Sequence, residues 1–280
     1  MKPNQPRWIY MAVALSVTLP FLAKIKMTMP ISEPVQKAFD VVEKLAEENE
    51  GRERKKLALL VADWEPATMA EIHPQVLALI HHFMSRQIPF AILGFRPTGP
   101  GLAQDLAHSA AREWNAEYGV AWCNWGYKTQ MDTTIQAMLT SFHTVIREDT
   151  QGTPIQDLPM MVGFKDMGDI GLVAEFTGSS GLLQPWVEFV HAELRTPILH
   201  GCTGVMESPV YPMLSSGQIQ GFMGGLSGAA QYEQLVGKLG KGSEGMAAQS
   251  LAHLLVLGLI LAANLKEFAA WAAKGTLWKR

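Results

Sequence analysis

Hydrophobic and polar positions divide the chain into stretches with different rhythms. An unbroken apolar run lies near each end, Trp8 to Ala23 and Met246 to Leu265. Between them, short continuous apolar runs alternate with segments whose apolar residues recur every three or four positions, the signature of buried strands between amphipathic helices. Val35, Phe39, Val42 and Leu45 predict a helix over 31–51. The next run, KKLALLVADWE, has a continuous apolar core closed by Asp63 and reads as a strand covered on both faces.

The alternation then repeats. A helix over 69–87 leads to the strand PFAILGF. Gly99 to Gly101 open a helix running through Trp114, followed by the strand VAWCNW. A helix over 132–146, the strands MMVGF and IGLVAEF, a helix over 183–194 and the strand TPILHGC complete the series. The fold class this predicts is α/β: a Rossmann-like or flavodoxin-like three-layer domain with a mostly parallel sheet, flanked by N- and C-terminal transmembrane helices. A two-domain α/β binding fold, or a mixed sheet with MMVGF antiparallel, fits the same pattern, and strand order is left open.

The second apolar run has 20 residues without Asp, Glu, Lys or Arg. As a helix it rises about 30 Å, the thickness of a bilayer's hydrocarbon core. The first run has 16 residues and contains Pro20. Lys2 and Arg7 before it could mark a cleaved signal peptide, but Phe21 suits a cleavage site poorly, so an uncleaved anchor is expected. It reaches spanning length if the helix continues through Lys24, Ile25, Lys26 and Met27. The expected organisation is an anchor over 1–29, an α/β domain over 30–204, a glycine-rich helical or packing segment over 205–245, a transmembrane helix over 246–265, and an interfacial basic and aromatic tail over 266–280. Lys2 and Arg7 at one end, and Lys266, Lys274, Lys279 and Arg280 at the other, place both termini in the cytoplasm and the domain outside. The basic run Arg52 to Lys56 pulls against that orientation.

Charge and cysteine content narrow the partners. A formal net charge of −3, without a basic groove, argues against nucleic acid. Cys123 and Cys202 have no metal-ligand spacing, and read as small buried hydrophobes or, in an extracytoplasmic domain, as one disulfide. In 205–245, a helical reading puts Gly217, Gly221, Gly225 and Gly228 on a smooth face for packing against a neighbouring helix or protomer. The alternative is a loop with short helices wrapping the domain.

In a doubly wound sheet the functional crevice lies beyond the carboxyl ends of the strands. The candidate ligand-binding residues there are Asp63, Glu65, Arg96, Thr98, Gly99, Gly101, Lys128, Thr177, Ser179 and Ser180. FRPTGPG and EFTGSSG place hydroxyls and glycines where a helix N-terminus could hold an anion, yet neither matches a dinucleotide or phosphate-loop motif. Asp63 and Glu65 could work as a carboxylate pair. A triad of Ser179 or Ser180, Asp166 or Glu175, and His200 lacks a GxSxG elbow, and a Cys202–His200 pair rests on alternation alone. The histidines make no zinc motif, so no metal and no cofactor are expected. The function expected from these features is a structural or interaction subunit, partnered by membrane lipid and by further copies or other membrane subunits. The alternative is a membrane-tethered hydrolase or small-ligand-binding domain using the crevice.

Overall fold

Seven consecutive residues, Leu57–Asp63, are buried without interruption and form β1 of the computed structural model, which describes residues 5–273. Both faces of β1 are covered by helices or loops, and each fully buried leucine contributes about 2 kcal/mol. β2 (Phe90–Gly94), β3 (Trp122–Tyr127), β4 (Ile170–Thr177), β5 (Ile198–Cys202) and β6 (Gly221–Gly224) complete one sheet. Every pairing is parallel and the order is β3-β2-β1-β4-β5-β6. That is the Rossmann strand order, with its reversal between β1 and β4.

Helices α2 (Glu33–Asn49), α3 (Met69–Ser85), α4 (Gly99–Trp114) and α8 (Gly225–Val236) cover one face. The other carries α5 (Met131–Thr140), the turns over 141–167, a π-helical stretch (Trp186–His191) running into the single turn α6 (Ala192–Leu194), and α7 (Val210–Ser215). Each face owns its own apolar core because strand side chains alternate.

Three expectations are corrected, and the cysteines follow the first of their two readings. MMVGF is no strand: Pro159–Met161 is a 3-10 turn and Gly163 has φ +81, so the run folds back and the sheet has no antiparallel member. The helix expected over 132–146 stops at Thr140. The separate glycine-rich segment belongs to the α/β body, since it supplies α7, β6 and α8. Cys123 and Cys202 are buried and free; β3 and β5 lie four strand spacings apart, about 19 Å, which excludes a disulfide.

The chain divides into two compact units, one over Thr28–Gly242 and one made of the terminal segments. In the latter, α9 (Lys241–Ala273) has 33 residues and is long and apolar enough to cross a membrane. Helix α1 (Gln5–Leu22) has a shorter apolar stretch, Arg7–Leu22. It does not run on to Met27: Lys24 turns left-handed at φ 49 and the Ile25 amide donates back to the Pro20 carbonyl, a Schellman-type close. Lys2 and the tail residues Lys274 to Arg280 lie outside the described residues.

Candidate functional site at the carboxyl ends of the strands

The sheet reverses between β1 and β4, so the crevice opens beyond Asp63 and Thr177. Register sets Val61 beside Glu175 and Asp63 beside Thr177, then Glu175 beside His200 and Thr177 beside Cys202. By alternation Asp63, Glu175, Thr177, His200 and Cys202 share the face that deeper in the sheet is built from Leu59, Val61, Val173 and Ile198. Polar chemistry is thus inserted into the top of an apolar core.

Glu175 is 0% exposed and His200 3%, and the His200 Nδ1 lies 2.6 Å from Glu175 Oε2. With Glu175 accepting, Nδ1 is the donor of this hydrogen bond. Asp63, 1% exposed, accepts through Oδ1 from the Phe95 amide and, at 3.0 Å, from the Arg96 amide. Its Oδ2, and Glu175 Oε1, are buried without a hydrogen-bond partner. Burial, and then the Glu175 charge, push the Asp63 carboxyl up to about 7, against the two amides and the Arg96 charge.

Beside this cluster lies a cavity of about 150 Å³, with Thr177, Ser179, Leu183, His200, Met206 and Met213 in its walls. A cavity of that size admits a molecule of roughly benzene dimensions. Cys202 is also in the wall. Its thiol is held well above the ordinary range by burial and then by Glu207, Glu175 and Glu71, so it stays protonated and the Cys202–His200 nucleophile is not formed. On the other face of the sheet Gln75 of α3, fully buried, donates to the carbonyls of Cys202 and Gly225 at 2.9 and 3.0 Å.

The structure gathers part of the predicted set. Asp63, Thr177 and Ser179 come together: Thr177 Oγ1 donates to the Asp63 carbonyl and accepts from the Ser179 amide, both at 3.0 Å. Ser180 joins Thr177 and Ser179 in the cavity wall, and Arg96 reaches Asp63 through its amide. Glu65 is exposed beyond the strand, so the Asp63–Glu65 pair is replaced by Asp63–Glu175. Thr98 does not cap α4; it donates to the Trp64 carbonyl. Gly99 holds α4 against β1, since a Cβ there would sit 1.9 Å from the Ala62 carbonyl oxygen, while Gly101 faces open space. Lys128, beyond β3, donates to the Trp125 carbonyl at 2.6 Å and belongs to the far side of the crevice. Of the triad, only Glu175–His200 forms; Asp166 accepts from the Gly168 amide in its own turn.

The four glycines do not form one face. Gly217 is in a turn at φ +77, Gly221 is in β6, Gly225 opens α8 at φ +55 and Gly228 packs on Met223.

Glu175 and His200 stand in the sequence as single ionisable residues inside otherwise apolar strands, IGLVAEFT and ILHGC. That interruption is the signal that ranks them above the exposed candidates, but their contact depends on β4 and β5 being neighbours in register. Replacing Glu175 with Ala is expected to cost about 3 kcal/mol, because it strands the buried imidazole and breaks the pair. Denaturant titration of the detergent-solubilised chain at pH 7 checks this, and a loss below 1 kcal/mol would contradict it.

Fold and site together define a six-stranded parallel α/β protein of Rossmann type carrying one helix fit for membrane anchoring. No protein-family model matches the chain. Neither the curated proteins nor the solved structures give a match. Among the described residues no three His, Cys, Asp or Glu side chains are grouped to hold a metal ion.

Proposed function

We propose that this chain is a membrane-anchored α/β protein whose strand-end crevice binds a small ligand, with the Glu175–His200 pair as its polar contact. The observation that carries this reading is a cavity with the His200 imidazole in its wall, backed by Glu175, whose Oε1, like Asp63 Oδ2, is buried without a hydrogen-bond partner. A fold that needed only an apolar core would gain nothing from burying Asp63 and Glu175 there, since each buried carboxylate costs several kcal/mol of desolvation. Buried ionisable groups that cost stability and stand directly behind a cavity wall favour a binding site.

Both termini act as anchors in this reading. Each connection leaves the α/β unit from the same part of α8: the Met29 amide donates to Gln234 at 3.1 Å and the Ser32 amide to Gln231 at 2.7 Å, while the Gly242 amide donates to Glu233 at 2.8 Å. Charge flanking the apolar runs puts both termini in the cytoplasm and the crevice outside. A Ser216→Cys variant, exposed ahead of β6, is expected to react with a membrane-impermeant maleimide in intact cells, whereas the buried native cysteines stay unlabelled. Labelling only after lysis would reverse the orientation.

Assembly with further copies or other membrane subunits is the second reading. It is favoured by the exposed apolar positions of α9, such as Leu254, Leu257 and Leu261, which in a bilayer meet lipid or another helix. A monomeric mass in mild detergent would remove it.

A further inference from the structure

The cavity beyond β4 and β5 has two unlike walls. Leu183, Met206, Val210 and Met213 form an apolar one, and the other carries the Thr177 hydroxyl and the His200 imidazole. Thr177 is already committed, donating to the Asp63 carbonyl. His200, 3% exposed, is committed on one side only: Glu175 holds Nδ1 and is not itself part of the lining, so the ring offers the cavity its other edge. Nε2 on that edge bonds to no described residue, and unlike the Nε2 of His73 it is not sealed in the core. No Asp, Glu, Lys or Arg lines the cavity among the described residues.

We infer that the cavity takes a small neutral phenol, its ring against the Leu183–Met213 wall and its hydroxyl on His200 Nε2. This rests on the proposed binding site and names the ligand class it accepts. A hydroxyl both donates and accepts, so it meets Nε2 in either protonation state, donating to a neutral ring and accepting from an imidazolium. An ammonium or a carboxylate would shed its hydration beside a wall without a free charge, since Glu175 neutralises the ring when it is protonated. A cavity of about 150 Å³ holds a benzene-sized ring. Sulfur selects an aromatic ring over an aliphatic body: Met206 and Met213 stand in the wall with Cys202, and thioethers make favourable contacts with ring edges. Glu175 is a positioning residue here, fixing which edge of the imidazole meets the ligand.

The test is a titration of the full chain in detergent at pH 7 with phenol, toluene and sodium benzoate, each against a micelle blank, followed by calorimetry and by the imidazole NMR signal of His200. At that pH phenol keeps its proton, as a tyrosine side chain of pKa ~10 does. Saturable phenol binding is expected, with a shift of the His200 signal. Toluene, the same shape without the hydroxyl, should bind at least about tenfold more weakly because it leaves Nε2 buried and unpaired, and benzoate should not bind. Met213→Trp, at a half-buried position in the apolar wall, should fill the cavity and abolish phenol binding. Toluene or benzoate binding as tightly as phenol would overturn the phenol assignment and leave the binding site standing. Phenol binding unchanged in Met213→Trp would overturn its placement in this cavity, and binding of none of the three would overturn both the ligand class and the site.

Discussion

Gly221→Leu is expected to destabilise the α/β unit by about 3 kcal/mol or more. Gly221 begins β6 where α2 crosses the sheet, and a Cβ built on it would lie 2.2 Å from the Ala38 amide nitrogen and 2.5 Å from the Ala38 Cα. Both atoms are backbone in the middle of a helix, so no rotamer change relieves the clash. Either α2 moves off β6 or β6 leaves the sheet. Overpacking in a well-packed core costs 1–3 kcal/mol, and a branched side chain against rigid backbone belongs at about 3 kcal/mol or above. That is a large share of the roughly 5–15 kcal/mol that holds a domain together. Gly217→Leu, in an open turn at φ +77, is expected to cost only about 1 kcal/mol from the backbone conformation. Circular dichroism and denaturant titration of both variants check the contrast. Equal stability of the two would contradict the placement of Gly221 against α2. A loss of oligomeric mass in the Gly221 variant reports this destabilisation, not a broken helix contact.

Asp63→Asn is expected to stabilise the protein above neutral pH, by on the order of 3 kcal/mol. The sign follows from the raised carboxyl. In the unfolded chain this group ionises near 3.8, while in the fold it holds its proton up to about 7. Below the lower value both states are protonated and the group is neutral to stability. Between them the unfolded state releases its proton and the folded state does not, so stability falls as pH rises, by about 1.4 kcal/mol per unit, and levels off above about 7. Asparagine carries no charge to desolvate. Its amide oxygen can still accept the Phe95 and Arg96 amides, and its NH2 supplies a donor where Asp63 Oδ2 has no partner. The gain should therefore be large at pH 8 and small at pH 4, and the slope between them should flatten. Denaturation midpoints at the two pH values decide the matter; a loss at pH 8 would mean that the ionised carboxylate is stabilised in the fold. A residue whose removal stabilises its protein fits a site kept for binding rather than for folding.

How far the sequence reached differs between elements. β1, β2, β4 and β5 were legible because a strand covered on both faces is an uninterrupted apolar run, and α2, α3 and α4 because one apolar stripe repeats at helical spacing. MMVGF carries the same apolar character but lies between Pro159 and Gly163, and a short apolar run that is buried as turns reads like one buried as a strand. β6 was missed because GFMG is short and half glycine. Its two glycines answer to tertiary neighbours, α2 at Gly221 and Glu207 at Gly224, which leave no mark on local pattern. The candidate site was legible only by position. Thr177, Ser179 and Ser180 were placed by being at strand ends, whereas Asp63, Glu65, Thr98, Gly101 and Lys128 share that property without sharing the cavity.

The sequence by itself determined the alternation of strand and helix, the apolar length of the C-terminal run and the set of strand-end residues, because each depends on neighbours along the chain. Only the tertiary structure decided the strand order, and with it the pairing of Glu175 with His200 and the approach of Asp63 to Glu175. Those contacts join residues 25 and more than 100 positions apart, and they exist because β1, β4 and β5 lie side by side in register. The charge around Cys202 was equally a matter of assembly: Glu71 and Glu207 act on its thiol from where α3 and the turn before α7 bring them, at the ends of β5 and β6.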